Sequence, residues 1–363
     1  MSETFTYPTS AELVSVAQDK MPRLIQDRPC FKLLPPRSVN DFFLMWEQMD
    51  NFQGIQQVRG LDGQPQRVKR VGIKRYLMEP GVYGEYLTVS ERELTIRRAQ
   101  GTFGTPIDIS DLVMMLQDQL LQRRLDRVES QIWTLLLTGT FTVKNAEGLT
   151  VHTDTFPLQS YAASTPWSTW ASATPLLDMR TMQLKHRGHS VAFDRRSTLY
   201  LNQKTVNDML FNTNAADLYG RRTAGVGAPG SLGGTLNTLD DVNKIFMMEN
   251  LPQVQPYDES YLSDGTDGNA AGTVVLYIPN GEGVLVGARP AGQTVGEFRF
   301  CRNANTPAMG DGAPGEGGMG SGPYMRVIDR GEFQVPRSIE VHDGYNGGPA
   351  IYYPTAIISV SGL

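Results

Sequence analysis

Apolar residues recur near the helical period across Asp111–Thr138, where Val113, Leu116, Leu120, Leu125, Val128, Ile132 and Leu136 mark a face. Asp108, Ser110 and Asp111 supply capping chemistry at one end, and Gly139 closes the other. The segment has no interior Pro or Gly, so the pattern predicts an unbroken helix over 111–138, about 42 Å long and well beyond the usual helix. Its polar middle, Gln122, Arg123, Arg124, Asp126 and Arg127, is expected to face solvent or another subunit. The stretch after it, TFTVKNAEGLTVHTDTF, alternates on both sides of Asn145–Gly148 and predicts a β-hairpin. A second helix is expected over Pro175–Arg187, with Pro175 in its first turn and Gly188 at its end. A short helical stretch is expected over Asn202–Phe211, strands within 273–300, and a β-rich tail from MRVIDRGEFQVPRSIEVHD to AIYYPTAIISVSGL.

The first third reads differently. Residues 1–54 scatter Pro8, Pro22, Pro29, Pro35 and Pro36 among short apolar groups and predict an arm with little core of its own. Within it, Phe42, Phe43, Trp46 and Met49 fall at helical spacing and suggest a short helix over Val39–Met49. Residues 55–104 predict a long two-stranded excursion. One limb, Gln66 to Met78, carries Arg67, Lys69, Arg70, Lys74 and Arg75 and no acid. The other follows Pro80-Gly81 and carries Tyr83 and Tyr86, with Glu79, Glu85, Glu91 and Glu93 after Met78. Limbs of opposite sign can pair with each other or with another copy. A nucleic-acid stripe fits less well, because the aromatics do not interleave with the cations.

Charge and composition narrow the picture. The 363 residues suffice for two domains. A net charge of −5 argues against a protein whose task is to grip nucleic acid, though not against a container for it. Cys30 and Cys301 are too few for a disulfide scaffold and read as free thiols in a reducing cytoplasm. The first ten residues lack the basic start and apolar core of a signal peptide, and no apolar run reaches membrane length. Gly-rich stretches at 220–235 and 310–323 read as loops.

Candidate chemistry is sparse. GHSVA at Gly188–Ala192 looks like a nucleophile elbow around Ser190, but an elbow needs a strand before the serine and a helix after it, and here the order is reversed. The G-x-G-x-x-G matches beginning at Gly225, Gly310 and Gly315 do not join a strand to a helix as phosphate binding requires. Among His152, His186, His189 and His342 only the middle two are close, and no Cys/His cluster offers a metal site. Neither catalytic residue, metal nor cofactor is therefore expected. A hydrolase using Ser190 is the rival reading from another class.

The order of arm, two-stranded loop, long helix, hairpin, helix and terminal β return resembles the Hong Kong 97 capsid fold of tailed double-stranded DNA phages. The stretch WTLLLTGTFTVKNAEG, the link bearing Trp167 and Trp170, TPLLDMRTMQLKHRGHS and FDRRSTLYLNQKTVNDMLFN is similar to the lambda-type major capsid protein E family, as is the C-terminal stretch from VPRSIEVHD to YYPTAIIS. The resemblance implies an α+β fold divided into an N-terminal arm (1–54), an extended loop (55–104), a peripheral domain (105–190) with a spine helix over 111–138, a central domain (191–325) and a β return (326–363). It implies a non-enzymatic major capsid protein that assembles with itself through hexamers and pentamers into an icosahedral virion shell enclosing DNA. Scaffolding, portal and decoration proteins are its implied partners, with synthesis in the bacterial host cytoplasm and no membrane. No separate scaffolding segment is visible, so no removal of a long pro-region is expected. Encapsulin-like nanocompartment shells share the fold and form the alternative. Contacts between copies are expected at Phe42, Phe43, Trp46, Arg67, Lys69, Arg70, Lys74, Arg75, Glu79, Tyr83, Glu85, Tyr86, Arg123, Arg124 and Arg127.

Overall fold

A 30-residue helix, Ile109–Thr138, is the longest element of the computed structural model. The Ser110 N–H donates to Asp108 Oδ1 at 3.1 Å, which satisfies one of the donors left open by the first turn. At the other end Gly139 adopts φ +71° and its N–H donates to the Leu135 carbonyl at 2.7 Å. That left-handed conformation is cheap for glycine and stops the helix. The structure describes residues 8, 10–49, 55–56, 58–65, 67, 73–96, 108–145, 147–212, 238–265, 268–288, 294–307, 319–330 and 336–363.

The chain folds into two compact units that are interleaved in sequence. One comprises Met1–Met45, Leu77–Gln131 and Gly296–Ala350, and the other Trp46–Tyr76, Ile132–Val295 and Ile351–Leu363. The expected division into contiguous segments is thus not how the contacts group.

In the first unit, strand Ser338–Ile351 is the organiser. Gly81–Ser90 pairs antiparallel with it from Ser90↔Ser338 to Gly81↔Gly347. Tyr324–Asp329 pairs along its other edge, and Gly296–Phe300 continues the sheet to Pro36–Ser38. Val89, Met325, Ile339 and Val341 meet Leu112, Val113, Leu120 and Leu121 of the long helix. Helix Ser10–Gln26 adds Leu13, Val14 and Ala17 to the same core. The proline-rich arm therefore has a core-bearing helix. Its apolar residues, Leu13, Val14, Ala17, Met21 and Leu24, do follow helical spacing, but interior Pro22 removes a backbone donor and obscures the pattern.

The second unit is built on a mixed sheet ordered Gln159–Ala162, Ile357–Ser361, Gly283–Val286, Thr198–Leu201, Gln253–Pro256. Gly283–Val286 runs antiparallel to both neighbours, whereas the outer pairs are parallel. Helices Pro175–Leu184, Gln203–Leu210 and Leu239–Met248 bury Met179, Val206 and Phe246 with Leu199, Leu285 and Ile358 of the sheet. Asn202 caps the second of these helices by accepting the Thr205 N–H at 2.8 Å. The hairpin Thr140–Lys144/Thr150–Thr155 turns as its sequence predicts, with Asn145 Oδ1 accepting the N–H groups of Glu147 and Leu149 at 3.1 and 2.8 Å.

Candidate assembly surfaces

Two limbs do form a ladder, but not the expected two. Ile73–Met78 pairs with Leu44–Met49, and residues 50–72 lie between them. The predicted helix over Val39–Met49 is thereby replaced by a strand. Leu44 and Trp46 are buried while Met45 and Glu47 are exposed, and that period of two decides the conformation over the looser spacing of the aromatics. Across this ladder Arg75 Nε donates to Glu47 Oε1 at 2.7 Å, and Tyr76 Oη to Gln48 Oε1 at 2.9 Å. Trp46 stacks between Tyr76 and Phe156, with ring centroids 5.3 and 5.8 Å away, and is 6% exposed. It is a core anchor of its own chain rather than a free contact for another copy, because its large apolar surface finds two internal faces.

Beyond the ladder the chain turns at Gly60–Gly63, where the Gly63 N–H donates to the Gly60 carbonyl at 3.0 Å and Arg59 Nη1 to the Gly63 carbonyl at 3.3 Å. Ile55, Val58 and Leu61 are 98%, 98% and 100% exposed. Arg67, Lys74 and Arg75 are exposed as well. Lys69 and Arg70 lie outside the described residues. Phe42 and Phe43 form an exposed edge-to-face pair with centroids 5.0 Å apart.

The acidic limb, Gly81–Ser90, leaves the basic one and joins strand Ser338–Ile351. Ten residues of ladder and the burial of Val89 beside Ile339 and Val341 outweigh the attraction between oppositely charged limbs. Glu79 is exposed. Glu85 accepts from Arg123 Nη2 at 2.9 Å, an exposed pair within one chain. Tyr86, exposed, stacks on His342 at 5.0 Å. Tyr83 stacks on Tyr345 at 5.0 Å, and burial pushes its hydroxyl up to about 12, against the pull of the Arg127 charge. Tyr83 is half-buried against its own chain, short of its expected exposure.

The three arginines of the long helix divide. Arg123 is at the surface, Arg127 half-buried, and Arg124 buried. Arg124 Nη1 donates to Asp343 Oδ1, and both side chains are 5% exposed. Burial raises the Asp343 carboxyl from 3.8 to about 6, more than the guanidinium lowers it. An expected contact for another copy is thus an internal tie between helix and sheet. The helical pattern could not reveal it, since the partner lies 219 residues away.

One structural residue went unremarked in the sequence. Asp178, buried in the first turn of Pro175–Leu184, accepts Trp167 Nε1–H at 2.8 Å and Tyr161 Oη–H at 2.6 Å. The Trp167 link and the PLLD stretch of the resemblance are therefore one polar knot. Ser190 follows a helix and a turn, and Val191–Ala192 leads to a bridge between Ala192 and Ala288. Of the nearby groups, His186 Nδ1 lies 2.6 Å from the Gln183 carbonyl, and Asp194 pairs with Arg196 at 2.7 Å. The arrangement is the reverse of a strand–serine–helix elbow. Among the described residues no group of three or more His, Cys, Asp or Glu side chains is placed to hold a metal ion, and no helix is long and apolar enough to cross a membrane. The Gly-rich matches fall mostly in 213–237 and 308–318, outside the described residues.

No protein-family model matches the chain, and no curated protein matches it. Solved structures do. A protein assigned as the capsid protein of a prophage of Escherichia coli CFT073 superposes with a TM-score of 0.57 at 12% identity, covering 98% of this chain and 99% of the other. A phage-related protein from Bordetella bronchiseptica RB50 gives 0.54 at 12% identity, covering 99% of each chain. At that identity the likeness speaks for the path of the backbone, and it runs from end to end of all three chains. The chain has the α+β fold of these phage proteins, the Hong Kong 97 capsid fold that its sequence resembles.

Proposed function

We propose that this chain is a major capsid protein, a building block that assembles through hexamers and pentamers into an icosahedral shell around phage double-stranded DNA. The observation that carries the reading is the end-to-end match of its fold to a prophage capsid protein. The exposed loop supports it. A turn bearing Ile55, Val58 and Leu61 in water loses the burial that each side chain would gain, about 1.5–3 kcal/mol, unless another surface covers it. The net charge of −5 suits a wall that holds DNA without gripping it. On this reading the extended loop lies over an adjacent subunit, and Phe42, Phe43 and the surface cations contribute contacts between copies. The work is done by surfaces rather than by a catalytic site. Scaffolding, portal and decoration proteins are its partners, and the product is a virion assembled in the bacterial cytoplasm.

Sedimentation velocity at micromolar protein tests the reading. It predicts capsomer-sized or larger species, and dissociation as concentration falls. A single species of 40.1 kDa at every concentration would contradict it.

A further inference from the structure

The first unit holds a cavity of about 180 Å³ between helix Ser10–Gln26 and the sheet beneath it. Val14, Ala17, Gln18 and Met21 line it from the helix, at a spacing that puts all four on one face. Phe300 and Met325 line it from strands Gly296–Phe300 and Tyr324–Asp329, and Arg124 from the long helix. Phe300, Met325 and Arg124 are buried and mark its inner end, whereas Gln18 and Arg37 are exposed and mark its mouth. Protein interiors leave few voids larger than a water molecule. This one exceeds the roughly 150 Å³ that is enough to take up a benzene ring.

The charge around the cavity is balanced, but the hydrogen bonding is not. Two arginines line it, and among the described residues no Asp or Glu does. Each arginine already has a carboxylate outside the lining. Arg124 Nη1 donates to Asp343 Oδ1, and Arg37 Nη1 to Glu297 Oε1 at 3.1 Å. Arg124 Nε, in contrast, is buried and has no acceptor among the described residues. A buried donor in that state is costly, and an oxygen brought in by a ligand would relieve it. A ligand carrying a negative charge would instead add an unbalanced anion beside an ion pair already shielded from water.

We infer that the cavity is a binding site for a small uncharged amphiphile, of about the size of phenol. Its apolar body lies against Ala17, Met21, Phe300 and Met325, and its oxygen accepts from the Arg124 guanidinium. Bound there it ties helix Ser10–Gln26 to the sheet and stabilises the first unit by mass action.

Methionine methyl resonances of the full-length, unassembled protein test the site, because Met21 and Met325 both line it. Phenol should move these two resonances saturably, with half-saturation at roughly 1 mM or below. Benzene has the same body without an acceptor, and benzoate carries a charged head. Each should bind at least about tenfold more weakly than phenol. Ala17→Leu, which fills the cavity from its helical wall, should abolish the shifts while circular dichroism stays unchanged. If that variant does not fold, the comparison of the three ligands on the wild type decides alone. Met21 and Met325 resonances that stay in place, or that drift linearly with all the other methionines, would overturn the site. Benzene binding as tightly as phenol would reduce it to a plain apolar void, and benzoate binding most tightly would make it an anion site. Either result would overturn the inference, and the capsid reading would stand whatever the outcome.

Discussion

Asp343 illustrates how one buried group can invert an intuition about ion pairs. Its carboxyl faces Arg124 from the helix, Glu85 from the neighbouring strand and the Tyr324 and Tyr345 rings, and burial dominates them all. A carboxyl raised to about 6 when folded, against 3.8 in the open chain, binds its proton more tightly in the fold. The contribution of this group to stability is therefore fully present below pH 4 and is lost as the pH climbs to about 6, on the order of 3 kcal/mol in all. Asp343→Asn, which mimics the protonated form, should accordingly gain on the wild type in urea unfolding of unassembled protein as pH rises from about 4 to 7. A wild type that gains on the variant over that range would mean that the guanidinium outweighs burial. At the same scale, legibility in the sequence followed locality. The turn at Asn145 and the capping Asn202 bond to atoms within four residues, and so could be read from their neighbours. Arg124 could not, since its helical surroundings are polar and its partner is on strand Ser338–Ile351. Trp46 stood out as an aromatic anchor, but nothing in its neighbourhood says that Phe156 will cover it.

At the scale of elements, the long helix, the hairpin and the two following helices were legible because periodicity, caps and breakers agree there. The strands were half-legible. Both limbs around Pro80-Gly81 were recognisable as extended, yet a strand carries no local record of its partner, and each limb pairs with a segment outside the pair the charges suggested. The N-terminal helix was missed, and its consequence is testable. Leu13 is fully buried in the first unit's core, Gln117 Nε2 donates to its carbonyl at 2.6 Å, and Lys20 pairs with Asp118 at 2.6 Å. Helix Ser10–Gln26 is thus part of a core, where the scattered prolines suggest an arm with little core of its own. Leu13→Ala should cost about 2–4 kcal/mol in chemical denaturation. A loss below roughly 0.5 kcal/mol, the range of ordinary surface changes, would mean that this helix does not pack on the core as described.

At the scale of the whole molecule, the fold sorts the side chains that the sequence offers as contacts between copies into exposed and buried ones. Of the expected contacts, Phe42, Phe43, Arg67, Lys74, Arg75, Glu79, Glu85, Tyr86 and Arg123 are at the surface, whereas Trp46 and Arg124 are buried and Tyr83 and Arg127 are half-buried. Aromatic and charged side chains look alike in sequence whether they anchor a core or await a partner, and only the fold sorts them. The most exposed apolar residues, Ile55, Val58 and Leu61, drew no notice, because in sequence they are three isolated side chains in a Gly- and Gln-rich run. The fold is matched end to end by phage proteins, and the proposed function would place many copies of this chain in one closed shell. Electron microscopy of the purified, expressed protein tests that claim most directly. The account predicts closed particles of uniform diameter, with capsomers on fivefold and sixfold positions. A field of dispersed single subunits, under conditions in which the protein is folded and concentrated, would contradict it.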